Sequence, residues 1–276
     1  MHYITDVFDE FSKWALLTVG NREKFNMMTI GWGGLGTVWR KPAATVYVRT
    51  SRYTHDFMES NDYFTIGTFE YDWYHDQLKV LGTKSGRDMD KMHDSELTPI
   101  ELARGMTFRE VDVTLVCKKI FKQRLDPANL PEDIRNRYYD NDAPHDMYIG
   151  EVVERYFKEY HDGFCGFFKE GCGNASNSSY WKVCYDDEKD RYTAMKSFSG
   201  AGGSSISLYE ITKEIFEKVG TFEDDDYKSE RLIGEGRELY RAVDEKWSPP
   251  YDDVSDKNYK ELCPWVKIEE VKPFKP

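Results

Sequence analysis

The sequence predicts a mainly β protein built on an antiparallel barrel, and three observations carry that reading. First, short apolar runs rich in Val, Thr, Tyr and Phe recur through the first half, each bounded by Gly, Asn, Pro or charge, which are strand signals. Second, Val113, Leu115 and Cys117 alternate with Asp112, Thr114, Val116 and Lys118, as in a strand with one buried face. Third, helix signals are few and short. No G-x-G-x-x-G follows a strand, and the run Gly31–Gly36 contains Trp32 and Leu35 with no helix after it, so a doubly wound βαβ fold is disfavoured.

Taken in order, residues 3–14 read as a short amphipathic helix with Phe8, Phe11 and Trp14 on one side. Strands are expected at 15–19, 27–30, 44–48, 63–68 and 111–121. Thr54–Ser60 reads as a short helix entered from a Thr cap, and 88–94 as another. A last strand, 148–156, is interrupted by Gly150. Beyond residue 157 the character changes. Residues 163–179 are rich in Gly, Cys, Asn and Ser and read as loop; 180–198 as a hairpin around DDEKD; 199–205 as a flexible connection; 208–219 and 226–247 as helices. The expected organisation is a barrel domain over 1–157 and a C-terminal α+β extension over 158–276.

Composition excludes several functions. The net charge of −12 is spread over both halves, which argues against nucleic acid or an anionic membrane surface as partner. Aromatic residues make up 15% of the chain, too many for extensive disorder. No apolar run reaches the length of a spanning helix, and the N-terminal residues lack the basic-then-apolar order of a secretory signal. Five cysteines form no C-x-x-C pair, and Cys165, Cys172 and Cys184 match no zinc spacing, so no metal site is expected. The odd count fits free thiols in a reducing cytoplasm.

Three segments carry chemistry. Asn26-Met27-Met28-Thr29-Ile30-Gly31-Trp32 places amide, thioether and hydroxyl groups on one strand, which suits either a core strand or the edge of a flat polar heterocycle. Arg49-Thr50-Ser51-Arg52-Tyr53-Thr54 joins two arginines and three hydroxyls to a helix start, and suits an anion or a solvated turn. Gly82-Thr83-Lys84-Ser85-Gly86-Arg87-Asp88-Met89-Asp90-Lys91 packs glycines, hydroxyls and three cations into ten residues. That mix can cradle an anion, most plausibly a phosphate, but it lacks the spacing of a Walker loop.

The order N-x-M-T-x-x-W-G (from Asn26), K-P (Lys41, Pro42), R-x-x-R-Y-T (from Arg49), G-T-K-S-G-R-D-x-D-K (from Gly82) and M-Y-I-G-E-V (from Met147) resembles the flavin reductase-like, FMN-binding split-barrel family, flavoredoxin subgroup. The resemblance covers about residues 10–157. It implies a six-stranded split barrel that dimerises and binds FMN near the dimer interface. Asn26, Met27, Met28, Thr29 and Trp32 would line the flavin ring. Arg49, Ser51, Arg52 and Thr54 would meet the phosphate or ribityl chain. Thr83, Lys84, Ser85, Gly86, Arg87 and Lys91 would close the site, with Lys84 and Arg87 neutralising charge. His145 falls in a family-like segment, yet reads more simply as a surface histidine. The resemblance further implies an oxidoreductase taking a hydride from NADH or NADPH, or an electron carrier docking to redox partners. Neither needs a catalytic side chain, because the flavin carries the electron chemistry. Residues 69–81 are more aromatic than the family segment they replace, and 158–276 lie beyond its usual end.

Overall fold

The computed structural model of the chain describes residues 14–69, 74–161, 164–172, 178–200, 203–221, 226–243 and 259–266. It divides into two units, 1–155 and 156–276. The helix expected over 3–14 falls outside the described residues, apart from Trp14.

The first unit holds β1 (Ala15–Gly20), β2 (Phe25–Ile30), β3 (Gly33–Val38), β4 (Lys41–Arg49), β5 (Tyr63–Thr68), β6 (Pro99–Leu102), β7 (Gly105–Phe108) and β8 (Val113–Arg124), with the first residues of β9 (His145–His161). Its helices are α1 (Tyr53–Ser60), α2 (His75–Thr83), α3 (Lys91–Ser95) and α4 (Glu132–Tyr138). The strands are antiparallel where their register is defined, in the order β3-β4-β9-β8-β5-β1-β2, and β6 and β7 form a separate hairpin. One apolar cluster draws Leu17 from β1, Ile30 from β2, Val46 and Val48 from β4, Ile66 from β5, Cys117 from β8 and Tyr148 from β9. Phe57 and Met58 of α1 join it. Six strands that share one core must curl around it, which is the barrel the sequence predicts. β3 is the addition: it pairs only with β4 and leaves Leu35 exposed.

The period of two explains which side chains face away from that core. On β4, Ala44, Val46 and Val48 are buried inward, so Tyr47 and Arg49 point to the other face. β9 pairs with β4 so that His145 sits opposite Arg49 and Met147 opposite Tyr47. The strand does not break at Gly150. A Cβ there would lie 2.5 Å from the Phe64 ring, so glycine makes room for a core aromatic within an unbroken strand.

The second unit continues with β10 (Phe164–Cys172), β11 (Ser178–Asp186), β12 (Arg191–Gly200), β13 (Gly203–Ile211) and β14 (Arg237–Val243). Together with the end of β9 they form an antiparallel meander in sequence order. Its helices are α5 (Lys213–Lys218), α6 (Asp226–Ile233) and α7 (Tyr259–Leu262). The hairpin expected over 180–198 is present. Four expectations are corrected. Much of the loop expected at 163–179 is strand; the connection expected at 199–205 is the closing end of a second hairpin; 208–211 belong to β13; and the helix expected over 226–247 stops at Ile233 and gives way to β14. Tertiary pairing overrides local propensity in each case, because backbone ladders satisfy these polar, glycine-containing segments. One face of the meander carries Phe168, Cys184, Met195, Leu208 and Leu239, packed with Cys263 and Trp265. No helix among the described residues is long and apolar enough to cross a membrane.

Candidate functional site

An open cleft of about 340 Å³ lies on the first unit, lined by Trp14, Met28, Thr29, Ile30, Gly31, Trp32, Tyr47, Arg49, Arg52 and His145. β2 and the residues after it supply one wall. β4 and the start of β9 supply the other through Tyr47, Arg49 and His145, the outward face just described. Of the residues singled out in the sequence, the cleft brings together Met28, Thr29, Trp32, Arg49 and Arg52, from two separate motifs.

The two arginines do different things. Arg49 donates to the carbonyl oxygens of Ala143 (2.9 Å) and Tyr138 (3.0 Å), pairs with Asp142 and lies over the Tyr139 ring. It clamps the segment after α4 onto the sheet. The guanidinium of Arg52 has no hydrogen bond or ion pair among the described residues, and it lines the cleft. Arg52 is also the residue that enters α1, and no side chain caps that helix. The start of α1, where the His55 N–H donates to the Arg52 carbonyl, and the Arg52 guanidinium therefore lie at the same corner.

Thr54 is not the cap the sequence suggested. It lies inside α1, fully buried, and its Oγ1 accepts from Asn26 Nδ2 at 2.8 Å. Asn26 and Thr54 thus lock β2 to α1 beneath the cleft. Thr29 Oγ1 donates to the carbonyl of Leu78 and so ties β2 to α2. Met27, two residues before Thr29 and on the same face of β2, packs in a cluster with Leu78 and Leu81. Ser51 contributes its carbonyl oxygen, which accepts from Arg87.

The Gly82–Lys91 stretch is not one loop. Gly82 and Thr83 end α2, and Lys91 opens α3, which Asp90 caps by accepting from the N–H groups of Met92 and His93. Thr83 Oγ1 donates back to Lys79 within α2. The connection between them packs on β2 and α1. A Cβ on Gly86 would fall 2.4 Å from Asn26 Oδ1, a contact only glycine permits. Ser85 Oγ accepts from the Arg87 N–H. The Arg87 guanidinium pairs with Asp56 at 2.6 Å and covers the Tyr53 ring. Lys91 is buried and donates to the carbonyls of Met27 and Leu81, each at 2.8 Å. Burial, and then the Arg52 charge, push its pKa down to about 8. Lys84 stays on the surface, away from the cleft lining.

Three lining residues, Trp14, Tyr47 and His145, lie outside the sequence motifs, and the reading of His145 as a surface residue is corrected. His145 is 7% exposed, packed against Trp32 at 4.8 Å, with Nδ1 3.0 Å from the Tyr139 hydroxyl. Burial, and then Arg49, push its pKa down to about 4, so the imidazole is neutral at pH 7. Tyr47 follows from the alternation of β4. Tyr139 reaches the site only through His145. Trp14 stacks on His75 at 4.5 Å and takes a left-handed backbone (φ 69°); nothing local in the sequence signals either feature. Trp32, 42% exposed, is held edge-on by Tyr138.

A second polar grouping lies on α1 and β9. Ligand atoms of His55, Glu59 and Asp146 fall within 4.8 Å of one another. Lys122 and Arg124 already fill it: Asp146 pairs with Arg124 (2.7 Å), Lys122 (3.0 Å) and His55 (2.9 Å), and Glu59 with Lys122 (2.7 Å). Burial alone would raise the Asp146 pKa, but those partners outweigh it and hold the carboxyl well below the usual carboxylate range. The grouping is an ion-pair network, not a vacant set of metal ligands.

The first unit thus combines an antiparallel β barrel with an open cleft that has aromatic walls and Arg52 in its lining. No family model matches the chain, and no curated protein matches it. Among solved structures, the chain is similar to the FMN-binding domain of a flavin reductases-like enzyme from Shewanella baltica (18% identity, 56% of this chain and 74% of that one, TM-score 0.40). It is also similar to a flavoredoxin from Methanosarcina acetivorans (23%, 54% and 69%, TM-score 0.41) and to the flavoredoxin of Desulfovibrio vulgaris (18%, 68% and 86%, TM-score 0.41).

Proposed function

We propose that the first unit binds FMN in this cleft and that the protein is an FMN-dependent oxidoreductase. The observation that carries the reading is the meeting of two family-like motifs in one cleft, where Arg52 has no hydrogen bond or ion pair among the described residues. The donor set suits the group. Trp32 and Tyr47 offer flat walls for a ring, and the main chain of Ile30 and Gly31 borders the same space. Arg52 and the uncapped start of α1 suit the phosphate. Arg49 would act indirectly, by holding the wall that carries Tyr138 and Tyr139. Lys91 and Arg87 would shape the floor instead of touching the ligand, and Lys84 would stay outside.

When bound, FMN accepts a hydride and releases electrons singly or in pairs. The chain's own part is to orient the ring, exclude water from one face and supply positive charge at the corner. Donors of the NADH or NADPH type, a flavin or small-molecule acceptor, and a homodimer that completes the site belong to the same proposal. Purified protein saturated with FMN should oxidise NADH or NADPH; flavin uptake without turnover would leave the binding and remove the reductase.

A further inference from the structure

Tyr139 and His145 form a pair that the flavin reading does not use. The Tyr139 hydroxyl lies 3.0 Å from His145 Nδ1, and it is the only hydrogen-bond partner of either ring among the described residues. His145 Nε2 has no hydrogen-bond partner among the described residues, and the imidazole is part of the cleft lining. Burial first, and then Arg49 and Arg52 against the opposing Asp142, disfavour a positive imidazole, which leaves the ring one proton to place.

Two arrangements fit the distance. Either Nδ1–H donates to the phenol oxygen and Nε2 faces the cleft as an acceptor, or the phenol O–H donates to Nδ1 and Nε2–H faces the cleft as a donor. The second is favoured chemically. A phenol is the more acidic hydrogen-bond donor of the two, and the Arg49 guanidinium over its ring, 5.5 Å from the centroid, strengthens that donor. The first would leave the phenol proton without a protein acceptor.

We propose that Tyr139 is a positioning residue that fixes His145 in its Nε2–H tautomer, so that the cleft presents a neutral N–H donor to a ring oxygen or nitrogen of its ligand. This inference rests on reading the cleft as a ligand site. The two cleft groups then divide the recognition between them. Arg52 answers full negative charge, and His145 answers an uncharged acceptor on the flat part of the same molecule. Trp32 packs on the imidazole and keeps the ring from swinging out.

The test begins without ligand. In ¹⁵N-labelled full-length protein at pH 7, long-range ¹H–¹⁵N correlations of the histidine rings should show His145, identified by its loss in His145→Gln, as the Nε2–H tautomer. Tyr139→Phe should convert it to a mixture. A proton on Nδ1 in the unaltered protein would overturn the inference, and that holds even if the variant fails to fold. FMN is the probe for the donor role. Tyr139→Phe should bind it about three- to tenfold more weakly, as expected for one neutral hydrogen bond. Equal affinity alongside a changed tautomer would overturn that role. Failure of the unaltered protein to take up FMN would sink the proposed function and leave the tautomer result standing.

Discussion

The corner between β4 and α1 and the connection between α2 and α3 are alike in sequence and opposite in use. Each offers cations, hydroxyls and a nearby helix start. In the corner, Arg49 is committed to the Ala143 and Tyr138 carbonyls, while Arg52 lines the cleft with no polar partner among the described residues. In the connection, Arg87 is paired with Asp56 and Lys91 is buried under two carbonyls. Positive charge in a motif is therefore no measure of charge available to a ligand. What counts is whether the protein's own acceptors reach the cation first.

The largest expected effect reads the burial of His145 and, after it, the charge of the corner. The pKa of His145 is about 4 in the folded chain against an ordinary value of 6.5. Between these values the unfolded chain binds the proton and the folded chain does not. Stability contributed here is intact above pH 6.5 and declines as pH falls toward 4, by about 3 kcal/mol in all. Urea unfolding at stepped pH should show that slope, and His145→Gln should flatten it; equal slopes would mean that the fold does not hold His145 neutral.

A smaller effect is expected in the connection. Lys91→Met keeps the volume and orphans the carbonyls of Met27 and Leu81, which costs about 2 kcal/mol, partly offset because a buried charge is also removed. Denaturant unfolding measures it. A loss of FMN affinity with stability unchanged would restore Lys91 as a direct ligand. The smallest effect belongs to Arg87→Ala. Arg87 and Asp56 are both about half exposed, so the pair is worth no more than about 1 kcal/mol, and FMN affinity should move less than about threefold.

Much of the first unit was legible because its signals are local. Alternation on β4 and β8 marks strands whatever they pack against, and R-x-x-R-Y-T marks a strand running into a helix. Thr54 was misread as a cap because a hydroxyl near a helix start looks the same whether it bonds its own backbone or, as here, the Asn26 amide 28 residues away. Trp14, Tyr139 and His145 reach the cleft through stacking on His75, a bond across the α4 segment and pairing with Arg49. None of these has a sequence period. In the second unit, Leu232, Leu239, Tyr240 and Val243 look like one helical face. Gly234 and Gly236 separate them, and pairing with β13 draws the last three into a strand. Polar β strands of this kind are specified by their neighbours more than by themselves.

The central claim is that Arg52, and not the Gly82–Lys91 stretch, meets the ligand's anionic group. Titration of FMN into the apoprotein, followed by quenching of flavin fluorescence, tests it with Arg52→Ala and Lys84→Ala side by side. Saturable binding by the unaltered chain is expected, with a loss of about 2 kcal/mol (roughly thirtyfold) for Arg52→Ala and of less than about threefold for Lys84→Ala. No binding by the unaltered chain, or a greater loss for Lys84→Ala than for Arg52→Ala, would contradict it.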